Sequence, residues 1–445
     1  MIHSPDTRRE LLKGLFAAAV DAARGDRVIS AASCVDANRW IYSGPGESFE
    51  LALPTRTGRV IVIGAGKAAA SMAAAMERVL GEHLDSGLVI VKAGGALPLR
   101  RIECREGGHP VPDEASIRAT RELLHLVDDA QPEDTVFLLL SGGASSLLCL
   151  PVDGITLVEK ATAHRLLVNS GASIAEINAV RKHLSAVKGG RLRLRCRATT
   201  FCTLAISDVI GDDPSTIGSG PSVADATTFD DALAVLDKYG LNRIMPAAVM
   251  AHLRRGGGKT PNSGDVDARH YRVIAGNASA LDAAAAFARG QGCDVRILTA
   301  AMQGHTHDAA REFAKTLREL TAKRTAGDPP LIVLAGGETT LLVTGRGTGG
   351  RNQEFALVAG LHLQGTHDIT LLAAGSDGTD GPTDAAGAFA DGATSQRAAA
   401  IGRDPQASLD DNDVYPLLET MGDLYRSGPT GTNVMDLVAA VIGGT

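Results

Sequence analysis

Arg59-Val60-Ile61-Val62-Ile63-Gly64-Ala65-Gly66-Lys67-Ala68 leads straight into an alanine-rich stretch that ends at Leu80. A run of β-branched residues with no polar alternation predicts a strand buried on both faces, and the small unbranched residues after the glycines predict a helix. Strand, glycine turn and helix in that order is the repeating unit of a parallel sheet covered on both sides. The unit recurs. Leu88–Val91 is a second strand, with Gly94-Gly95 beyond it, and Asp113 is placed to cap a helix over Glu114–Val127. Thr135–Leu140 is a strand ending at Ser141-Gly142-Gly143, and Thr199–Ile206 is another, ending at Ser207-Asp208 and followed by a helix over Asp230–Lys238.

The pattern fades between Leu241 and Arg269, where Arg254–Gly258 and Pro261–Asp265 read as an exposed connection. It restarts with strand Tyr271–Ala275, helix Ala278–Arg289, strand Asp294–Thr299 and helix Asp308–Leu320, then strands at Leu331–Ala335, Thr340–Val343 and Ile369–Ala373 with a helix over Asn352–Leu363. Residues 336–339 are too few for a crossover helix, so the second sheet is expected to be mixed. The chain is expected to be an α/β protein of two domains. Residues 1–255 carry a Rossmann-like, mostly parallel sheet, and 265–445 form a smaller domain with a mixed sheet.

Composition narrows the function. A chain of 445 residues, 44% hydrophobic and 21% charged, excludes disorder and is long enough for two or three domains. The net charge of −7 comes with no basic block, and one Trp, five Tyr and nine Phe leave few rings for base stacking, so no nucleic-acid partner is expected. Thr7–Ala23 reads as an amphipathic helix without a signal-peptide core, and no apolar run is long enough for a bilayer. No membrane partner and a cytoplasmic location are the expectation. The six cysteines lack CxxC spacing and read as small buried hydrophobes. Much of the excess among the 51 glycines lies in loops at strand ends and helix starts, where backbone can approach a ligand.

The glycine loops carry the chemistry. Gly64–Lys67 can turn backbone N–H groups toward phosphate. It fits the dinucleotide fingerprint at Gly64, Gly66 and Ala69, yet Lys92 stands where that pattern wants a ribose-binding acid, and Ile61 and Ala68 break the P-loop pattern. An anion site with one lysine remains, beside the plainer reading of a tight turn. Ser141-Gly142-Gly143-Ala144-Ser145-Ser146 offers hydroxyls and close backbone approach, or simply a helix cap. On one helix Arg181, Ser185 and Lys188 share a face, as an anion-binding stripe or as basic residues ahead of Gly189-Gly190 at a helix end. Acids follow two strands, and Asp208 and Asp377 are the best placed to hold Mg²⁺ or a substrate hydroxyl. Glu338 lies in another strand-end loop. Arg351 combines a guanidinium with the free N–H groups of a helix start and suits a phosphoryl group. Ser427–Asn433 is expected to open a final helix in the same style. His305-x-His307 looks like a metal pair without a third ligand, with Asp308 as helix cap, and His109 reads as a loop histidine.

The segments Gly64–Ala68, Gly108–Asp113, Leu140–Gly143, Arg181–Ser185, Ile206–Val209, Gly336–Thr339, Gly350–Glu354, Ser376–Gly378 and Thr430–Asn433, taken in this order, resemble the glycerate 2-kinase family, whose C-terminal part is the MOFRL domain. The resemblance implies phosphorylation of D-glycerate at its 2-hydroxyl by ATP and Mg²⁺. It also implies an active site in the cleft between two α/β domains, and Lys67 and Arg351 as the leading catalytic cations. Phosphoryl transfer asks mainly for positioning and charge stabilisation, which agrees with a site of glycine loops, cations and acids. On this reading Asp208 or Asp377 holds Mg²⁺ or orients the hydroxyl. Glycerate and phosphate are bound by Gly64, Gly66, Ser141, Gly142, Gly143, Ser145, Arg181, Lys188, Glu338, Asn352, Thr430 and Asn433. A monomer or homodimer is expected. Two other classes stay in view: an NAD(P)H-dependent hydroxypyruvate reductase, against which Lys92 counts, and a non-catalytic binder of a phosphorylated sugar or acid.

Overall fold

The computed structural model describes all residues except 1–3, 56, 257–259, 263 and 444–445. The chain forms two compact units, Gly25–Ile274 and Met1–Arg24 together with Ala275–Thr445.

In the unit 25–274, Ser33–Asp36 (β1), Arg39–Tyr42 (β2) and Phe49–Ala52 (β3) make an antiparallel meander. β3 lies inside a stretch that reads from sequence only as turns. The main sheet comprises Val60–Ala65 (β4), Ser86–Lys92 (β5), Ile102–Gly107 (β6), Thr135–Leu140 (β7), Thr200–Ile206 (β8) and Tyr271–Ala275 (β9). Its order is β6-β5-β4-β7-β8-β9, and β4 to β8 pair in parallel. Chain progression runs one way from β4 and the other way from β7, which makes the β4/β7 boundary the switch point where open α/β sheets leave a crevice for ligand. Ile61, Ile63 and Leu138 pack with Leu123 and Val127 of the helix Glu114–Asp129. Asp113 caps that helix as expected, accepting from Ser116 N at 2.8 Å.

Two sequence readings change here. Tyr271–Ala275 is a strand of this first sheet rather than of the second, with Thr203 N donating to His270 O at 3.0 Å, because an apolar run does not say which sheet it joins. The helix expected to continue to Lys188 ends at His183. Ser185 instead bridges Pro151, and Gly189 and Gly190 both take positive φ, so Arg181, Ser185 and Lys188 are not a stripe on one helix. Four helices, Leu157–Asn169, Ile174–His183, Phe229–Lys238 and Ala247–Arg255, share a separate apolar core through Leu167, Val180, Leu236 and Leu253. Of the connection read at 254–265, residues 257–259 and 263 lie outside the described residues, and Pro261 is buried beside Gly190.

The second sheet comprises Asp294–Met302 (β10), Leu331–Gly337 (β11), Ile369–Gly375 (β12), Gly387–Asp391 (β13), Leu424–Tyr425 (β14) and Asp436–Ile442 (β15), in the order β10-β11-β15-β12-β13-β14. It is mixed, as expected, but for a different reason. Thr340 makes only a single bridge to His305, and the antiparallel character comes from β15 inserted between β11 and β12. Ser427–Asn433 therefore leads into a strand, not a helix. Leu437–Ile442 is buried throughout, and a short apolar run of that kind does not distinguish strand from buried helix. The N-terminal helix Pro5–Ala22 packs its Leu12, Leu15, Phe16 and Ala19 in this unit, although the division at 255 places it with the first domain. Its Gly14 meets the helix Asn277–Gly290 so closely that a Cβ there would lie 2.8 Å from the Phe287 ring.

Candidate active site

Pairing of β4 with β7 sets Ala65 opposite Leu140, so the two glycine loops that follow these strands are neighbours. Lys67 N donates to Gly142 O at 2.8 Å, Ser141 N to Ala65 O at 3.1 Å, and Ala68 N to Ser141 Oγ at 3.0 Å. The approach requires glycine at residue 66. Its φ is +136°, and a Cβ would stand 2.1 Å from Ser141 Oγ. Gly64 serves packing, since a Cβ there would meet Leu139 O at 2.5 Å. The imidazole of His109 lies against Gly143, 2.8 Å from where a Cβ would be. Asp208 follows β8, the next strand beyond β7. Lys67, the Ser141 loop and Asp208 thus stand in sequence along the C-terminal ends of three adjacent parallel strands.

Beside the Ser141 loop is a cavity of about 800 Å³. Ser145, on its wall, accepts hydrogen bonds from Arg181 Nη2 and Lys188 Nζ, the latter at 2.9 Å, while Lys188 Nζ also donates to Ser145 O at 2.6 Å. Lys188 is fully buried. Burial first, then the charges of Arg181 and Lys160, push its ammonium well below the usual lysine range. Burial first, then the charges of Arg181, Lys188 and Lys160, push His164 down to about 4. Arg181 and Lys188 therefore meet as sequence reasoning expects, through the turn after His183 rather than along one helix. Lys160 and His164 were missed: one helical turn apart on an ordinary-looking helix, they carry no local signal.

In the other unit, antiparallel register puts Asp436 opposite both Gly337 at the end of β11 and Gly375 at the end of β12. Arg351 begins the helix Arg351–His362 and grips Asp436 through two hydrogen bonds, Nε to Oδ2 at 2.6 Å and Nη2 to Oδ1 at 3.0 Å, with Glu338 Oε1 2.7 Å from Nη1. Burial opposes its charge, but Asp436, Glu338 and Asp380 outweigh that and hold the guanidinium above its usual range. The helix start is already occupied. Asp380 accepts from Asn352 N at 3.1 Å and Gln353 N at 2.9 Å, so these N–H groups are not open to a phosphoryl group. Burial raises Asp380 to about 6 against the lowering effect of those bonds. Asn352 Nδ2 also donates to Asp436 Oδ1 at 2.9 Å. Thr430 Oγ1 donates to Ser376 O at 2.6 Å, which joins the Asp377 and Thr430–Asn433 loops, and Asp377 Oδ1 accepts from Thr379 N at 3.0 Å. Asp436 escapes sequence reasoning because the segment before Leu437 reads as a helix start, and the capping role of Asp380 escapes it because the helix it caps begins 29 residues earlier in the chain.

The comparisons decide the family. Residues 11–254 match the family described as "Domain of unknown function (DUF4147)", and residues 331–436 match the MOFRL family. The chain is 42% identical over 387 residues to the D-glycerate 2-kinase of Thermotoga maritima, covering 86% of this chain and 91% of that one. The chain belongs to the glycerate 2-kinase family. A chain of Agrobacterium vitis, named provisionally as a hydroxypyruvate reductase, is 43% identical, covering 88% of this chain and 89% of its own. The crystal structure of glycerate kinase from Thermotoga maritima superposes with a TM-score of 0.83 at 38% identity, over 98% of this chain and 100% of that one.

Within this family member, no group of three or more His, Cys, Asp or Glu able to hold a metal occurs among the described residues. His305 and His307 are not a metal pair. His305 caps the helix Thr306–Thr321 in place of Asp308, and His307 Nε2 bonds the buried Glu354 Oε2 at 2.6 Å. No helix among the described residues is long and apolar enough to cross a membrane.

Proposed function

We propose that the chain transfers the γ-phosphoryl group of ATP to the 2-hydroxyl of D-glycerate. The observation that carries the reading is the position of Lys67, held by Gly142 O at the switch point of the parallel sheet, in a chain 42% identical to a D-glycerate 2-kinase. Lys67 balances charge on the equatorial oxygens of the transferring group, a contribution that matters most in the transition state. The Ser141 loop, with Gly66, Gly142 and Gly143, orients the reactants, and Ser145, Arg181 and Lys188 bind anionic substrate oxygens. Asp208 follows the strand next to the Ser141 loop and is the first choice for Mg²⁺, with Asp377 the second. Mg²⁺, when bound, neutralises phosphate charge. Arg351 acts as the second cation, kept charged and oriented by Asp436, while Glu338, Asn352, Thr430 and Asn433 complete the polar surroundings of the second unit's strand ends. The guanidinium must exchange part of its hold on Glu338 to reach a phosphoryl oxygen. The relative named for hydroxypyruvate reduction keeps a second reading in view. Against it, β5 ends on Lys92, where a nicotinamide dinucleotide needs an acid for its ribose. Incubation of the purified chain with ATP, Mg²⁺ and D-glycerate should release ADP in proportion to glycerate. NAD(P)H oxidation by hydroxypyruvate without ADP release would establish the reductase instead.

A further inference from the structure

The cavity beside the Ser141 loop contains a group that the phosphoryl-transfer scheme does not use. Lys160 is buried, and among the described residues its ammonium has no oxygen or nitrogen partner, only the Cys149 thiol. The thiol of Cys149 lies near it, but a thiol is a weak acceptor. His164, one turn along the same helix, also lines the cavity and leaves its buried Nδ1 unpartnered. The two cations opposite, Arg181 and Lys188, donate only to neutral oxygens of Ser145 and Gly218. Among the described residues, no Asp or Glu lines the cavity. Buried charges in folded proteins are ordinarily paired, so Lys160, Arg181 and Lys188 converging with no acid among the described lining residues leave the place of an anion open, and a bound anion would offset the burial that disfavours the charge of both lysines.

We propose that this cavity receives the carboxylate of the glycerate substrate and that Lys160 is its specificity-determining contact. The inference rests on the kinase reading above and adds to it a residue and a subsite. A carboxylate fits better than the nucleotide phosphates. Those phosphates carry Mg²⁺, which takes at least one carboxylate or equivalent oxygen donor from its surroundings, and the described lining residues offer no acid. The cavity also belongs to the same unit as Lys67 and adjoins the loop that holds it. Stability gives no reason to keep Lys160, because an unpaired buried cation is costlier than an apolar side chain of similar length.

The test is Lys160→Met in the full chain. Losing a charge-assisted hydrogen bond should raise the KM for D-glycerate roughly ten- to a hundredfold, with kcat and the KM for ATP nearly unchanged. Calorimetric binding of D-glycerate without nucleotide should weaken by the same factor, and the Tm of the unliganded variant should be equal to or higher than that of the parent. In the parent chain, D-glycerate but not ATP should slow amine-directed acetylation of Lys160, read by peptide mass spectrometry; this arm needs no variant to fold. An unchanged glycerate KM overturns the proposal. So does a raised ATP KM in its place, which would put nucleotide phosphate in the cavity, or a lowered Tm without a kinetic change, which would make Lys160 structural. If the parent shows no turnover but binds D-glycerate, and Lys160→Met abolishes that binding, the kinase reading fails and the carboxylate subsite stands.

Discussion

Replacing Gly66 by alanine tests whether the two glycine loops must touch for the site to form. The added Cβ would stand 2.1 Å from Ser141 Oγ and 2.6 Å from Ser141 O, at a φ of +136°. Strain of a non-glycine residue in such a region costs about 1–3 kcal/mol, and overpacking against a buried backbone adds about 1–3 kcal/mol. Either the protein keeps the geometry and loses roughly 2–6 kcal/mol, or the loops part and Lys67 moves. A shift of about 1 Å in a positioned group costs on the order of a hundredfold in rate. Gly94→Ala is the control, because Gly94 has φ +76° with open space around it and introduces strain without a clash. Thermal melts and steady-state kinetics on both variants separate the effects. Gly66→Ala should lower Tm markedly and kcat by on the order of a hundredfold, while Gly94→Ala should lose only the strain of about 1–3 kcal/mol and keep its rate. Parent-like kcat and Tm in Gly66→Ala, or equal damage in Gly94→Ala, would refute the close-approach argument.

Lys67→Ala and Arg351→Ala should each lower kcat by orders of magnitude while leaving the fold intact by circular dichroism, and near-normal turnover in either would remove that residue from the catalytic set. Asp208→Asn should raise the Mg²⁺ concentration needed for half-maximal rate more than Asp377→Asn does; the reverse order, read from a Mg²⁺ titration, would move the metal to the second unit. Asp380 supplies a pH test. Its folded-state pKa is raised to about 6 by burial, so its stabilising contribution is full below the unfolded value of about 3.9 and is lost as pH rises through about 6, a difference of about 3 kcal/mol. Asp380→Asn, melted in parallel with the parent, should therefore gain relative Tm between pH 4 and pH 7, and a difference in Tm that does not vary with pH would contradict the burial of an ionised Asp380.

The sheet strands β4, β5, β7 and β8 of the unit 25–274 are legible because they carry runs of apolar residues broken only by Thr203 in β8, and burial on both faces leaves that mark in sequence. β6, Ile102–Gly107, was missed because it alternates Ile-Glu-Cys-Arg-Glu and is half exposed. β15 reads as a helix because its apolar run of six residues, Leu437–Ile442, carries no period that separates the two. The loops Gly64–Lys67 and Ser141–Gly143 could be placed on strand ends from sequence, but their contact depends on β4 pairing with β7, a topological fact no local pattern contains. For the same reason Arg351 was read as facing an open helix start, when Asp380, distant in sequence, already caps it. Lys160 illustrates the limit most clearly: a lysine on a helix looks solvated until its neighbours are known.

The most direct measurement is a coupled assay in which the chain, D-glycerate, ATP and Mg²⁺ are mixed with enolase and no phosphoglycerate mutase. Enolase acts on 2-phosphoglycerate, so transfer to the 2-hydroxyl predicts immediate formation of phosphoenolpyruvate matched by ADP release. ADP release with phosphoenolpyruvate appearing only after mutase is added would place the phosphoryl group on the 3-hydroxyl, and no ADP release at all would contradict the kinase account.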